Sequence, residues 1–548
     1  MLSLFIIRSL CDDYEVNTFD QVIDHNNPGK TFIQRYFVNT DYAKKTDYLI
    51  FYLGGFATLN IKELENSPVN FIASSTKAIV IGLENRYFGA SIPTEDLSTE
   101  NLKYNTVDQH LEDIKDFIIE MKKEYCNDPS TCRVLTVGRG FGASLATWIH
   151  MKKGKELNIV GTWASSAFLL ADTEFSGYDH HEAVVINRWG DCYNTFGNAY
   201  GTIDMIANRK DNTTTPAMEK RFGVSNTTGL KDRPIDFVVM FTEAISTSLR
   251  TTTLTQYMET MCRLLNSNNY TTEQKIVDLF AEYVPKIVPT DKFINLWPHM
   301  ANDTNLNSQL ADKRAEYYIK CNEISSFPCA GKNAELRDGD INPEYWTSVC
   351  TDLFNITKLA NATIFNNKYG GRFPHAERTY FTHGFNDAFL EASCTEEDLN
   401  IDKRVAAIID SGFSDDLNTE QDTDSPQLRK IRQKVIDTMI NWLQYDHTPG
   451  PSLRPTESPS PSITPSPKPT ETISPNPTQT VVPQTPTPDS QNTGEIPVIA
   501  KATIGVLAGA LVILIIITIF LVVKLKKSNT PLISTVASMP QVSQEPLI

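Results

Sequence analysis

The chain has 548 residues, more than one domain of ordinary size holds, and its 41% hydrophobic content with 27 Phe and 20 Tyr supports a sizeable core. A net charge of −16, spread along the chain, argues against a nucleic-acid partner, because phosphate binding needs a basic face.

The chain starts with MLSLFIIRSLC, residues 1–11, whose apolar run Leu2 to Ile7 is short and interrupted by Arg8. It reads as the remainder of a signal segment whose start lies upstream, since no basic stretch precedes it. Residues 48–53 (YLIFYL) before Gly54-Gly55, and 78–83 (AIVIGL), read as buried strands ending in turns. From 101 to 121, Leu102, Val107, Leu111, Ile114, Phe117, Ile118 and Met121 keep helical spacing.

Val134 to Val137 then lead into TVGRGFGASLATW, 136–148. A strand, a sharp glycine turn and a helix make the geometry of a nucleophile elbow, G-x-S-x-G. Here the five residues are Gly138, Arg139, Gly140, Phe141 and Gly142: the glycines are present and the serine is not. The same turn fits the dinucleotide fingerprint through Gly138, Gly140 and Ala143, but the ribose-binding acid expected about 20 residues on is missing, as 158–163 is NIVGTW. No cofactor is therefore expected.

The run 158–163 reads as the next strand, 178–340 as mainly helical, 378–382 and 404–409 as two further strands, and 425–444 as a helix. This alternation predicts an α/β fold, a parallel sheet with helices on both faces. The sheet domain comprises 19–177 and 341–444, with a helical cap over 178–340 inserted between them.

Residues 448–497 carry proline every two to four positions with Ser and Thr between, the composition of an extended stalk. Residues 502–523 are 22 residues without a charge, long enough to cross a bilayer as a helix. Lys524, Lys526 and Lys527 follow, so the positive-inside bias puts the tail 524–548 in the cytoplasm and the rest outside, at the cell surface or an endolysosomal membrane. Six glycosylation sequons, at Asn212, Asn226, Asn269, Asn302, Asn355 and Asn361, all fall on the outer side.

Of nine cysteines, Cys11 leaves with the signal segment. Cys126, Cys132, Cys192, Cys262, Cys321, Cys329, Cys350 and Cys394 make an even eight, which in an exported chain favours disulfides. Cys126 and Cys132 bracket the turn-rich NDPST and are placed to close a local bridge. Metal-ligand spacing such as C-x-x-C is absent, and no metal is expected.

Nine pieces in order carry a resemblance: FDQVIDHNN (19–27), TFIQRYFVN (31–39), ENRYFGASIP (84–93), LKYNTVDQHLEDIKDFI (102–118), the elbow, WASSAFLLADTEFSGY (163–178), YIKCNEISSFPC (318–329), NKYGG (367–371) and FTHGFNDAF (381–389). The chain resembles the serine carboxypeptidase family of lysosomal Pro-X carboxypeptidase, the quiescent-cell dipeptidyl peptidase and thymus-specific serine protease. The resemblance implies an α/β-hydrolase core with a helical cap, and cleavage near proline by a Ser/Asp/His triad in that chain order. It carries the nucleophile onto Gly140, the acid onto Asp387 in HGFNDAF, and the histidine onto Phe413 in DSGFSDDL, where Asp416 and Leu417 are retained. The amide of Phe141 is the oxyanion-hole candidate. The family's acidic residue after the glycine pair falls on Phe56, and its DPW motif reads Asp387-Ala388-Phe389.

Glycine offers no oxygen for an acyl-enzyme, and phenylalanine cannot shuttle a proton. Ser144, one helical turn beyond Gly140, and Ser165 and Ser166 are weak substitutes; His383, four residues before Asp387, is the best spare base. Two readings follow. The first is a membrane-anchored pseudopeptidase that binds peptide, protein or carbohydrate at the cell surface, homodimerisation being compatible with it. The second is an exopeptidase of residual or altered activity.

Overall fold

A computed structural model describes residues 14–445 except 210–212, 224–233, 268, 289–295, 332–335 and 398–400. These residues belong to one unit of the chain, Met1–Ser452; the other, Leu453–Ile548, lies wholly outside them. The segment 1–11, the stalk 448–497, the apolar span 502–523, the tail 524–548, Asn212 and Asn226 thus lie outside the described residues. Among the described residues no helix is long and apolar enough to cross a membrane.

Eight strands form one sheet: β1 (Glu15–Val22), β2 (Thr31–Asn39), β3 (Tyr48–Leu53), β4 (Ile79–Leu83), β5 (Arg133–Arg139), β6 (Ile159–Ser165), β7 (Thr379–Gly384) and β8 (Val405–Ile409). Their order is β1-β2-β4-β3-β5-β6-β7-β8. From β4 to β8 all neighbours pair in parallel. The central strands are apolar end to end because both faces are covered; Leu49 to Leu53 are all fully buried.

The expectation of an all-parallel sheet is corrected at one edge. β2 runs antiparallel to both β1 and β4. Periodicity hid these strands because their polarity is inverted: Ile33 is 53% exposed while its neighbour Gln34 is 1% exposed. Gln34 is buried at low cost, since its amide donates to the Glu84 carbonyl at 2.8 Å and accepts from Gln21 at 3.2 Å.

The helices Val107–Tyr125 and Phe141–Leu157 pack on one face of the sheet, and Val69–Thr76 and Pro426–Gln444 on the other. The ends of the long helices are set by sequence. Thr106 accepts from the Gln109 amide at one, and Ser425 before Pro426 accepts from Leu428 at the other.

Between Gly177 and Ile324 every described element is helical. This cap has its own core, in which Phe222, Phe237 and Phe241 meet edge to face at 5.0–5.4 Å. Disulfides join Cys126–Cys132, Cys192–Cys262 and Cys321–Cys350. The expectation of eight paired cysteines is corrected here too: Cys329 and Cys394 are buried free thiols. A buried thiol packs as a small apolar group and has no need of a partner.

The C-terminal ends of β3, β5, β6, β7 and β8 share one edge of the sheet. The loops that leave them carry Gly55, Gly140, Ser166, Asp387 and Phe413. In open α/β sheets this edge is where ligands bind.

Candidate active site

The turn between β5 and the helix Phe141–Leu157 is a sharp one. Gly140 sits at its apex with φ 54° and ψ −121°, and its amide donates to the Ser165 carbonyl at 3.0 Å. The flanking glycines are required by packing, whatever stands between them. A Cβ on Gly138 would lie 2.4 Å from the Gly142 carbonyl carbon, and one on Gly142 would lie 2.2 Å from the Leu53 carbonyl oxygen. The elbow is kept, and its apex bears no side chain.

Beside it lies the loop Gly54–Gly55. Gly54 donates to the Leu83 carbonyl at 2.9 Å, and the Asn85 amide holds the Gly54 and Gly55 carbonyls at 2.6 and 3.1 Å. A Cβ on Gly55 would come within 3.7 Å of the Arg139 carbonyl, so the pair abuts the elbow where this fold draws its second oxyanion donor. The first donor would be the Phe141 amide at the start of the elbow helix. The Phe141 ring stacks flat on Phe56, 4.0 Å between centroids, with Phe168 at 6.2 Å. Where the family carries an acid after the glycine pair, this chain has an aromatic sandwich.

Phe413 and Gly140 are in contact. The Phe413 Cζ would be 3.0 Å from a Cβ on Gly140, and Cε2 3.4 Å. Asp387, in the loop after β7, is 2% exposed and accepts from the Phe389 amide at 3.3 Å, which starts a turn of 3₁₀ helix. The three family positions therefore gather at one sheet edge although they are 26 to 273 residues apart in the chain.

Asp387 has a partner that no motif announced. Arg250, the last residue of the cap helix Pro234–Arg250, places Nε 3.0 Å from Asp387 Oδ1. Its guanidinium lies over two rings, 4.7 Å from the centroid of Phe413 and 5.2 Å from that of Phe389. Burial pushes the Asp387 carboxyl above the usual carboxylate range, and the Arg250 charge opposes that rise. The only sequence signal for Arg250 is a basic residue ending an apolar-faced helix, which is common at helix C-termini.

The alternative nucleophiles and base are accounted for otherwise. Ser144 Oγ is fully buried and donates to the Phe168 carbonyl at 2.6 Å. Ser165 donates to Asp416 at 2.7 Å, and Ser166 Oγ accepts from the Ser414 amide at 3.1 Å. Asp416 also receives Trp163 Nε1 at 3.0 Å and Thr382 Oγ1 at 2.5 Å, so this retained acid ties the β8 loop to β6 and β7. His383 is corrected as the best spare base: it is enclosed within β7, its Nε2 is 3.0 Å from the Cys394 carbonyl, and burial pushes its pKa down to about 4. Nearer the acid stands His181 of the cap, whose Nε2 donates to the Phe385 carbonyl at 2.7 Å while Nδ1 lies 3.2 Å from Glu391. Both its nitrogens are engaged.

No cluster of metal-binding side chains occurs among the described residues. Four of the sequon asparagines, Asn269, Asn302, Asn355 and Asn361, are exposed.

The sequence profile of serine carboxypeptidase S28 matches residues 19–435. Mouse thymus-specific serine protease is 22% identical over 442 residues, covering 76% of this chain and 84% of that protein. Human lysosomal Pro-X carboxypeptidase is 32% identical over 171 residues, which is 29% of this chain and only 33% of that protein. Among solved structures an arylesterase aligns at 12% identity and a TM-score of 0.21, over 31% of this chain and 50% of its own.

Proposed function

Because this chain belongs to the serine carboxypeptidase S28 family, we propose that it is a pseudopeptidase: a prolyl-peptidase scaffold that binds a peptide or protein at the cell surface without cutting it. One observation carries the reading. At the elbow apex Gly140 has no hydroxyl, and the Phe413 ring lies against it where an imidazole would be needed. Acyl transfer requires an oxygen nucleophile, a base within hydrogen-bond reach and an acid that orients the base. Only the acid remains, and it is occupied by Arg250. Oxyanion donors alone leave at most about 10³–10⁴-fold over water, far below a working peptidase.

The test is labelling of the full-length protein with a fluorophosphonate, alongside assays for release of residues next to proline. The expected result is no label and no cleavage. A label on Ser144, Ser165 or Ser166, or cleavage at ordinary enzyme rates, would establish the exopeptidase reading instead.

Anchoring rests on the uncharged span 502–523 and the lysines behind it. The outward orientation draws support from the exposed sequons at Asn269, Asn302, Asn355 and Asn361. Protease applied to intact cells is expected to release a glycosylated 12–497 and spare 524–548; loss of the tail instead would reverse the orientation.

A further inference from the structure

The loop after β8 is fastened to the cap around Arg250, besides the ion pair of Arg188 with Asp410 at 2.8 Å. The Phe413 amide donates to the Arg250 carbonyl at 2.8 Å, and the Thr252 hydroxyl donates to the Asp415 carboxylate at 2.7 Å. Gly412 passes so close that a Cβ there would lie 2.3 Å from the Arg250 carbonyl oxygen. From this junction the Arg250 side chain runs across the Phe413 and Phe389 rings to bring Nε 3.0 Å from Asp387 Oδ1. One residue of the cap therefore engages both the loop that carries Asp387 and the loop that carries Phe413.

We infer that Arg250 is a latch, a fixed cation that has taken over Asp387 and holds the helical cap shut on the sheet edge. In a working triad the acid steadies an imidazolium that exists only during turnover. A permanent guanidinium makes that partnership structural. Asp387 is 2% exposed, so its charge needs a lasting counter-ion, and Arg250 supplies one while the two rings fix its plane. Tyr178 and His181 from the cap, Glu243 on the same helix as Arg250, and Glu316 on the cap helix Ala311–Ile319 also act on this pair. On this reading a ligand that pairs with Asp387 must first displace Arg250. The inference rests on the non-catalytic reading of the same site and adds what closes it.

Hydrogen exchange of the full-length protein tests the latch, with Arg250→Gln, Asp387→Asn and the double variant. The latch predicts at least tenfold faster exchange of the amides at 412–415 in each single variant, with exchange in β3 and β5 unchanged. The double variant should exchange no faster than the worse single one, because each removes the same coupling. Wild-type exchange in the singles, or effects that multiply in the double, would overturn it. If Arg250→Gln does not fold, Asp387→Asn carries the test, because it removes the pairing from the other side; wild-type protection at 412–415 in that variant would sink the proposal. Fluorophosphonate labelling reports separately on catalysis, so the failure of one reading is distinguishable from failure of the other.

Discussion

The ring of Phe413 ends 3.0 Å from the point where a Cβ on Gly140 would stand. The two positions onto which the resemblance carries the nucleophile and the histidine therefore fit one another. Gly140→Ser puts a side chain at φ 54° against that ring, and the variant is expected to lose about 1–3 kcal/mol of stability. Adding Phe413→His shortens the ring and should restore part of the loss. Thermal unfolding of the two variants checks this; equal destabilisation in both would show that the contact is not the cause.

A serine and a histidine at positions 140 and 413 are not enough for a working triad. In Gly140→Ser with Phe413→His, the new imidazole would compete with Arg250 for Asp387. That double variant is expected to label with fluorophosphonate no faster than background. Adding Arg250→Gln should raise labelling at position 140 at least tenfold, because the freed acid can then orient the base. A double variant that is already fully reactive would refute the competition.

The glycines on either side of the apex are predicted to be intolerant on packing grounds alone, whatever the site does. Gly142→Ala would set a methyl 2.2 Å from the Leu53 carbonyl, against the backbone of the neighbouring strand. A loss of about 3–5 kcal/mol is expected, at the severe end for a single substitution. Denaturant unfolding measures it directly.

Glu323 predicts a pH dependence. Its carboxylate accepts from the Val107 amide at 2.7 Å, with Asp108 and Lys368 nearby, and burial pushes its pKa up to about 7 from the ordinary 4.5. The unfolded chain releases this proton first, so the folded state binds more protons between those values. Stability should therefore fall as pH rises from about 4.5 to about 7, by at most about 3 kcal/mol from this group. Glu323→Gln should flatten that part of the profile and exceed wild type at pH 8, but not at pH 4. Parallel pH–stability curves would remove Glu323 from the account.

The thiols give a covalent test. Alkylation of the native protein should leave Cys329 and Cys394 unmodified, because both are buried. Alkylation after denaturation without reductant should modify both and spare the six paired cysteines. A Cys329–Cys394 bridge found by peptide mapping would contradict this assignment.

Much of this protein was determined by its sequence alone. The central strands were legible because parallel strands covered on both faces read as unbroken apolar runs, as YLIFYL does at 48–53. The elbow was legible without a serine, since Gly138 and Gly142 are demanded by the close approach of the backbone. The family and the helical cap followed from residues that stand in order along the chain. The edge strands β1 and β2 do not read as strands in the sequence, because Gln21 and Gln34 are buried, the one donating to the other and each also donating to a backbone carbonyl, of Asp113 and Glu84, which inverts the polar pattern. Cys329 and Cys394 escaped pairing because bridging depends on proximity, and proximity is a property of the fold. Arg250 was invisible for the same reason. It lies 137 residues before Asp387, in a helix with no motif of its own, and becomes its counter-ion only when the cap descends on the sheet edge. Local patterns record what a residue does to its own strand or helix; which buried charge meets which is decided only when distant segments are brought together.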